Sequence, residues 1–237
     1  MKILALEFSS PQRSVAVVES IGDGRWAMSD SSSPGAQQCP SPLSEVVETG
    51  SLGANAIGMI EAALRQAQAE REQIECLAVG LGPGSYHGIR LAIAVAQGWQ
   101  LAAGQERVRL LGISSAECIV SQACDERLVD RVSVVIDAQR GEFYVATYDV
   151  TSQGWREIEP LHVTTYANLL RRQKAGERLI GPDVSKRFEE GWQVFPRAAT
   201  LGHLAIGRTD FVPGEKLEPI YLRETNFVKT PPGRNRT

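Results

Sequence analysis

An order of predicted elements that occurs twice along the chain constrains its fold more than any other feature. Each half opens with an apolar run that carries an acidic residue near its end, Glu7 or Asp137, and a turn that contains Arg13 or Arg140 follows. A run rich in β-branched residues follows the turn, and a third run completes the pattern of an antiparallel meander. The predicted strands are 3–8, 14–18 and 25–29 in the first half and 132–137, 142–149 and 157–163 in the second. Each half is therefore predicted to begin as a three-stranded sheet.

Helix and strand patterns alternate after each meander. Apolar residues at three- and four-residue steps after Leu52 predict a first amphipathic helix. The further predicted helices are 86–103, 114–124, 166–174 and 199–208, and the further predicted strands are 76–80, 108–113 and 179–180. This duplicated α/β order indicates the actin-like ATPase (ribonuclease H-like) fold with two α/β subdomains. The expected parts are an N-terminal subdomain with partner-binding helices at 1–113, a C-terminal subdomain at 114–224 and a flexible tail at 225–237.

Charge and composition exclude several functions for the chain by itself. Its 237 residues have a formal net charge of −3, so they provide no broad cationic field for a phosphate backbone, and we expect a partner to hold any nucleic acid. No apolar run approaches the ~20 residues that span a bilayer, and Glu7 comes too early for a signal-peptide core. We therefore expect a cytoplasmic protein without membrane contact. The four cysteines form no C-x-x-C pair, which argues against a zinc ribbon.

A glycine-rich segment at 80–90 lies between a predicted strand and a predicted helix, where backbone N–H groups can bind an anion. It matches neither the Walker A pattern nor G-x-G-x-x-G, because no lysine with serine or threonine follows and His87 stands at the last position. A nucleophile elbow is absent too, since Pro83 and His87 flank Ser85 where that motif needs glycines. The alternative is a tight turn in which Ser85 caps the helix. The residues of this turn that we single out are Gly82, Pro83, Gly84, Ser85, Gly88 and Arg90.

The helix after the turn is rich in alanine and glycine, which would let another helix approach closely. Together with the preceding helix it is predicted to form an exposed apolar surface for a partner, although packing on the sheet explains each residue equally well. The candidate interface residues are Ile57, Ile60, Leu64, Leu91, Val95 and Trp99, with Met59 beside them.

Few residues could hold a metal ion. The three histidines form no H-x-x-x-H or H-E-x-x-H pair, so no metal site is expected. The strand-end acids Glu7 and Asp137 either hold magnesium, as aspartates do in actin-like enzymes, or cap their turns, and capping is the favoured interpretation. In the tail, Lys229, Arg234 and Arg236 either contact an anionic partner such as RNA or form a solvated end.

In several of these segments the chain resembles the TsaB (YeaZ-like) family of bacterial tRNA threonylcarbamoyladenosine biosynthesis proteins, which are relatives of the glycoprotease/Kae1 proteins. The segments that carry the resemblance are 3–10 with 14–17, 82–90, 135–144 and 219–223. The sequence departs from the family pattern in having Tyr86 and His87 where phenylalanine and threonine are usual, and Glu7 and Phe8 where aspartate and threonine are usual.

The resemblance implies a non-catalytic scaffold that pairs with the catalytic subunit TsaD in forming N6-threonylcarbamoyladenosine at position 37 of tRNA. It further implies a TsaE-type ATPase in the assembly, tRNA contact through the complex, no cofactor on this chain because ATP and metal belong to the partners, and a homodimer through the same two helices. Two other hypotheses stay open. One is an independent actin-like ATPase or sugar kinase that uses Glu7 and Asp137; the other is a peptidase that uses Ser85 against a partner.

Overall fold

The computed structural model describes residues 1–20, 41–50, 55–104, 106–126, 128, 130–152 and 154–222, and it contains two five-stranded sheets. The first sheet has the spatial order β3-β2-β1-β4-β5. Its strands are β1 (Lys2–Glu7), β2 (Gln12–Glu19), β3 (Ser44–Thr49), β4 (Ile74–Gly80) and β5 (Arg109–Ile113). Strands β1, β2 and β3 pair antiparallel, and β4 and β5 extend the sheet in parallel to β1.

The second sheet repeats this plan with the order β10-β9-β6-β7-β8. Its strands are β6 (Asp130–Asp137), β7 (Glu142–Thr151), β8 (Gly154–Thr165), β9 (Arg178–Gly181) and β10 (Trp192–Gln193). An antiparallel meander again joins parallel strands at its first member. The duplicated α/β architecture predicted from the sequence is confirmed.

Within the described residues, five α-helices connect and cover the sheets. They are α1 (Ala56–Gln66), α2 (Tyr86–Ala103), α3 (Ser115–Asp125), α4 (Tyr166–Lys174) and α5 (Ala198–Ala205). Helix α2 begins at the cap that the sequence indicated, Ser85, and ends at Gly104, whose φ of 95° suits a glycine. None of the helices in the described part of the chain is both long and apolar enough to cross a membrane.

The first sheet is covered on both faces, which explains its continuous apolar strands. Because side chains alternate along a strand, Leu4 and Leu6 pack toward α1 and α2, whereas Ile3 and Ala5 pack toward α5. Ala5 lies opposite Ala16, and these small side chains let α5 approach closely. A Cβ at Gly202 of α5 would lie 2.6 Å from a methyl carbon of Val18.

The packing of α5 does not follow the expected division into 1–113 and 114–224. This helix lies far along the second half of the chain, yet it packs on β1 and β2 of the first sheet. The chain then runs back across the first sheet, where Val212 bridges to Leu110 of β5. Residues 198–222 therefore pack on the first sheet, where α5 helps to cover the apolar face that Ile3 and Ala5 form.

The third strand of the first meander is β3, which the sequence analysis missed. The predicted strand at 25–29 lies outside the described residues, as do the tail 225–237 and the first residues of the predicted α1. The predicted bounds of α2 and α4, 86–103 and 166–174, are confirmed. Helix α1 begins at Ala56, after Asn55, whose side chain accepts a hydrogen bond from the Gly58 N–H.

Candidate functional site

The glycine-rich turn links the end of β1, the start of α2 and the start of α3. The Ser85 N–H donates to the Ser9 carbonyl at 2.6 Å, and the Ser85 hydroxyl oxygen accepts from the Gly88 N–H at 3.3 Å. The carbonyl of Gly82 accepts from the N–H of Ser115 at the start of α3. The N–H groups of Ser85 and Gly88, which a phosphate loop would offer to a ligand, thus have partners within the protein.

Two glycines of this turn allow backbone contacts that no side chain would permit. Gly84 has a φ of 147°, and a Cβ built there would lie 2.1 Å from the Ser9 carbonyl oxygen. A Cβ at Gly88, in the first turn of α2, would lie 1.9 Å from the Phe8 carbonyl oxygen. The glycines therefore set the distance between α2 and the end of β1.

The carboxylate of Glu7 lies at the end of β1 and is fully buried. It accepts hydrogen bonds from the Ser9 N–H at 2.7 Å and the Ser115 hydroxyl at 2.9 Å. It also occupies the space beside Gly80, where a Cβ would lie 2.1 Å from the Glu7 Oε2. Burial raises the pKa of Glu7, and the hydrogen bonds from Ser9 and Ser115 oppose that rise. Glu7 thus caps the turn that follows β1.

Replacing Glu7 with glutamine is expected to change how stability depends on pH. Because the pKa of Glu7 is raised above its ordinary value of 4.5, the folded chain holds the proton more tightly than the unfolded chain. The contribution of Glu7 to the free energy of unfolding therefore falls as pH rises through the raised pKa. Glu7→Gln, which stays neutral, should therefore gain stability relative to the wild type between about pH 5 and pH 8. Urea unfolding at both pH values measures this, and an equal difference at both would contradict it.

Asp137 takes the corresponding place at the end of β6. Its Oδ1 accepts from the Gln139 N–H at 2.8 Å, and its Oδ2 is paired with Arg187 at 2.8 Å. Gln139 and Arg140 in this turn both have positive φ, and the aspartate supports that backbone. No group of three or more His, Cys, Asp or Glu side chains positioned to hold a metal ion occurs within the described ranges.

The surface of α1 and α2 differs in part from the predicted interface. Ile57 is 60% exposed, and Leu91 and Val95 are half-buried. Ile60, Leu64 and Trp99, by contrast, are at most 9% exposed and belong to the core beneath the helices. Met59 is likewise buried, with 1% exposure. The prediction that these four side chains form the exposed surface is therefore wrong, because α1 and α2 both turn these residues toward the core.

The exposed part of α2 includes a stripe of small residues. Ala94, Gly98 and Ala102 recur every four residues on one stripe, and Leu101 beside them is 83% exposed. An open groove of about 600 Å³ lies between this stripe and α1. The four-residue spacing was visible in the sequence, but the exposure of Leu101 was not, since α2 is apolar nearly all round.

The rim of the groove carries both charge signs. Glu61 of α1 lines it together with Arg71, Glu72 and Arg107. The Arg71 guanidinium lies 4.7 Å from the centre of the Trp99 ring, and Arg107 donates to the Glu72 carbonyl at 2.9 Å. The groove is thus lined by small and apolar side chains, with charged residues of both signs at its rim.

Comparisons with known proteins agree on one family. The profile of the TsaD family, described as tRNA N6-adenosine threonylcarbamoyltransferase, matches residues 53–212. The tRNA threonylcarbamoyladenosine biosynthesis protein TsaB of Escherichia coli K12 is 31% identical over 195 residues, which cover 74% of this chain and 82% of that protein. TsaB of Haemophilus influenzae is 26% identical over 202 residues, which cover 74% and 81% of the two chains.

Solved structures show the same fold. YeaZ from Pseudomonas aeruginosa superimposes with a TM-score of 0.69 at 22% identity, covering 93% of this chain and 99% of YeaZ. A Pseudomonas aeruginosa protein described as similar to peptidase YeaZ gives a TM-score of 0.71 at 23% identity, covering 94% and 99%. These structures show the fold, and the sequence matches establish the family. The chain belongs to the TsaB family of tRNA threonylcarbamoyladenosine biosynthesis proteins, within the wider family that the TsaD profile describes.

Proposed function

We propose that this chain is a non-catalytic scaffold subunit in the biosynthesis of N6-threonylcarbamoyladenosine at position 37 of tRNA, and that it pairs with a TsaD-type catalytic subunit. The observation that carries the proposal is the small-residue stripe on α2, exposed beside Ile57 and Leu101. Small side chains on a helix surface let a second helix come close and exclude water from a large shared area. The same surface would serve a homodimer when the partner is absent.

The residues that suggested chemistry are engaged in structural contacts, which supports the scaffold role. Both oxygens of Glu7 accept hydrogen bonds from within the chain, and both oxygens of Asp137 do the same. Ser85 accepts the Gly88 N–H, and among the described residues no histidine hydrogen-bonds to it as a general base would. We therefore assign ATP, metal and the transfer of the threonylcarbamoyl group to the partner subunits.

The rest of the assembly follows from this assignment. A TsaE-type ATPase joins the pair, and tRNA is held mainly by the partners, since the chain has a net charge of −3. On this proposal the chain works in the cytoplasm. The competing hypothesis of an independent ATPase or sugar kinase requires that the isolated chain bind nucleotide.

Titration calorimetry tests the proposal against both alternatives. Mixing the chain with the TsaD-type protein from the same organism should give a 1:1 complex with roughly micromolar or tighter affinity. Titration of the isolated chain with magnesium and ATP should give no heat of binding. No complex at micromolar concentrations would overturn the scaffold role, and magnesium-dependent ATP binding by the isolated chain would favour the ATPase.

A further inference from the structure

After α5 the chain returns to the first sheet and wraps around its edge strand, β5. The Phe211 side chain packs on the face of the sheet that carries α5, whereas Val212 and Leu217 pack on the face that carries α1 and α2. Leu217 is 3% exposed, and the Arg109 guanidinium lies 4.4 Å from the centre of the Phe211 ring. We name residues 211–222 the C-terminal strap.

Hydrogen bonds connect the C-terminal strap to α2 and to the segment that leads into it. In the middle of the helix, the Gln97 Nε2 donates to the Gly214 carbonyl at 2.8 Å. Ahead of the helix, the Ile220 N–H donates to the Leu81 carbonyl at 3.0 Å, just before the glycine-rich turn. The strap therefore contacts α2 at two levels along the helix axis.

The C-terminal strap and α1 lie on opposite sides of α2. Tyr86 and Gln97, which both contact the strap, lie roughly 20° apart around a helix of 3.6 residues per turn. Val95, which lines the groove beside α1, lies about 160° from Gln97. Ala94 and Leu101 come between these two directions, and both are exposed. The exposed surface of α2 is thus supported by α1 on one side and by the strap on the other.

The contacts of α2 with the sheet leave its exact position to be fixed by other groups. Its buried side chains include Ala92 and Ala96, and apolar contact of this kind is favourable without being directional. The hydrogen bond from Gln97 to Gly214 is directional, and the buried Leu217 anchors the strap to the core. The glycine-rich turn therefore holds the start of α2, and the strap holds its middle.

We propose that the C-terminal strap positions α2 for the TsaD-type partner, so that seating of the strap and binding of the partner favour each other. A surface of small side chains excludes water only when the helix lies at the right distance and angle, and a helix shift of about 1–2 Å would open gaps in it. By linkage, a loosened strap weakens partner binding, and a bound partner tightens the strap. This inference rests on the proposed function, because it concerns the surface that the partner would use.

Calorimetry with the TsaD-type protein from the same organism tests this proposal on the full chain. Leu217→Ala should weaken binding about tenfold, because the strap loses its buried anchor while every exposed side chain of α2 stays in place. Leu217→Met, which conserves most of the volume, should keep most of the affinity. Leu169→Ala is the matched control, since Leu169 is a fully buried leucine of α4 on the second sheet. It should lower stability and leave the affinity unchanged.

Hydrogen exchange adds a measurement on the free chain. In Leu217→Ala the amides of α2 should exchange about tenfold faster than in the wild type, whereas those of α3 should not change. When the partner is bound to the wild type, the Val212 and Ile220 N–H groups, which donate to strap-anchoring carbonyls of the first sheet and its loop, should exchange more slowly.

Equal affinity of Leu217→Ala and wild type would overturn the proposal, and so would an equal loss in Leu169→Ala. Unchanged exchange of the α2 amides in Leu217→Ala would also overturn it. Should that variant not fold, the wild type decides, because no slowing at Val212 and Ile220 on partner binding contradicts the coupling. Failure of the scaffold role gives a different result, namely no binding of the TsaD-type protein by the wild type, and faster α2 exchange in Leu217→Ala would then still show that the strap positions the helix.

Discussion

Gly88→Ala is expected to destabilise the chain by ~3 kcal/mol or more, because the new methyl group has no space. A Cβ at this position would lie 1.9 Å from the Phe8 carbonyl oxygen, which belongs to the backbone at the end of β1 and cannot rotate away. To accommodate it, α2 would have to move off the sheet, and the Ser85 cap and the contacts of Ile89 and Ala92 would be lost with it. Urea denaturation of the isolated chain measures the change.

Gly98→Ala provides the matched control in the same helix. A Cβ at Gly98 meets no atom within 4 Å, so the substitution changes only backbone freedom. Alanine is favoured over glycine inside a helix by ~1 kcal/mol, and Gly98→Ala should therefore be slightly more stable than the wild type. Equal stability of the two variants would show that the contact between α2 and Phe8 does not constrain this turn.

Ile57→Glu should weaken binding of the TsaD-type partner about 100-fold while the chain stays folded. Ile57 is 60% exposed at the edge of the groove, and an interface would bury it among apolar atoms. A carboxylate there would lose its hydration without a partner of opposite charge, a loss of the size found for central interface residues. Calorimetry gives the affinity, and unchanged thermal unfolding verifies the fold.

Ile158→Glu is the control for this substitution. Ile158 is 41% exposed on β8 of the second sheet, so the same change of side chain occurs on a different surface. It should leave partner binding intact.

Ile60→Glu is unsuitable as an interface variant because Ile60 is 3% exposed in the core, where a carboxylate would unfold the first half. Equal affinity of Ile57→Glu and wild type would move the interface away from α1 and α2.

The sequence predicted well the elements that begin or end at a residue with a specific capping role. Ser85 and Gly104 mark the ends of α2, and both are the residues that those positions favour. For Glu7 the absence of a phosphate-loop motif favoured capping over metal binding, and the Ser9 N–H does bond to its carboxylate. Strand β3 has no such residue at its ends. It forms because it pairs with β2, and no periodic pattern in its own sequence indicates it.

The exposed surfaces were harder to predict than the elements. Periodicity finds an apolar face on α1 but does not tell Ile57 from Ile60, which lie three residues apart on neighbouring parts of the helix. Only the position of the sheet decides which of them is buried. The contact between Tyr86 and Tyr221 depends on the return of residues 206–222 across the first sheet, and no local pattern in the sequence encodes that path.

The central claim, that the chain supports tRNA modification without supplying its chemistry, is tested most directly by reconstituting the reaction. Purified TsaD-type and TsaE-type proteins, tRNA and the threonylcarbamoyl donor are combined, and modified adenosine is measured by mass spectrometry. We expect modification to require this chain, to be lost with Ile57→Glu, and to persist with Ser85→Ala and Glu7→Gln. Full modification without the chain, or its loss in Ser85→Ala or Glu7→Gln that still fold and bind the partner, would contradict the scaffold role.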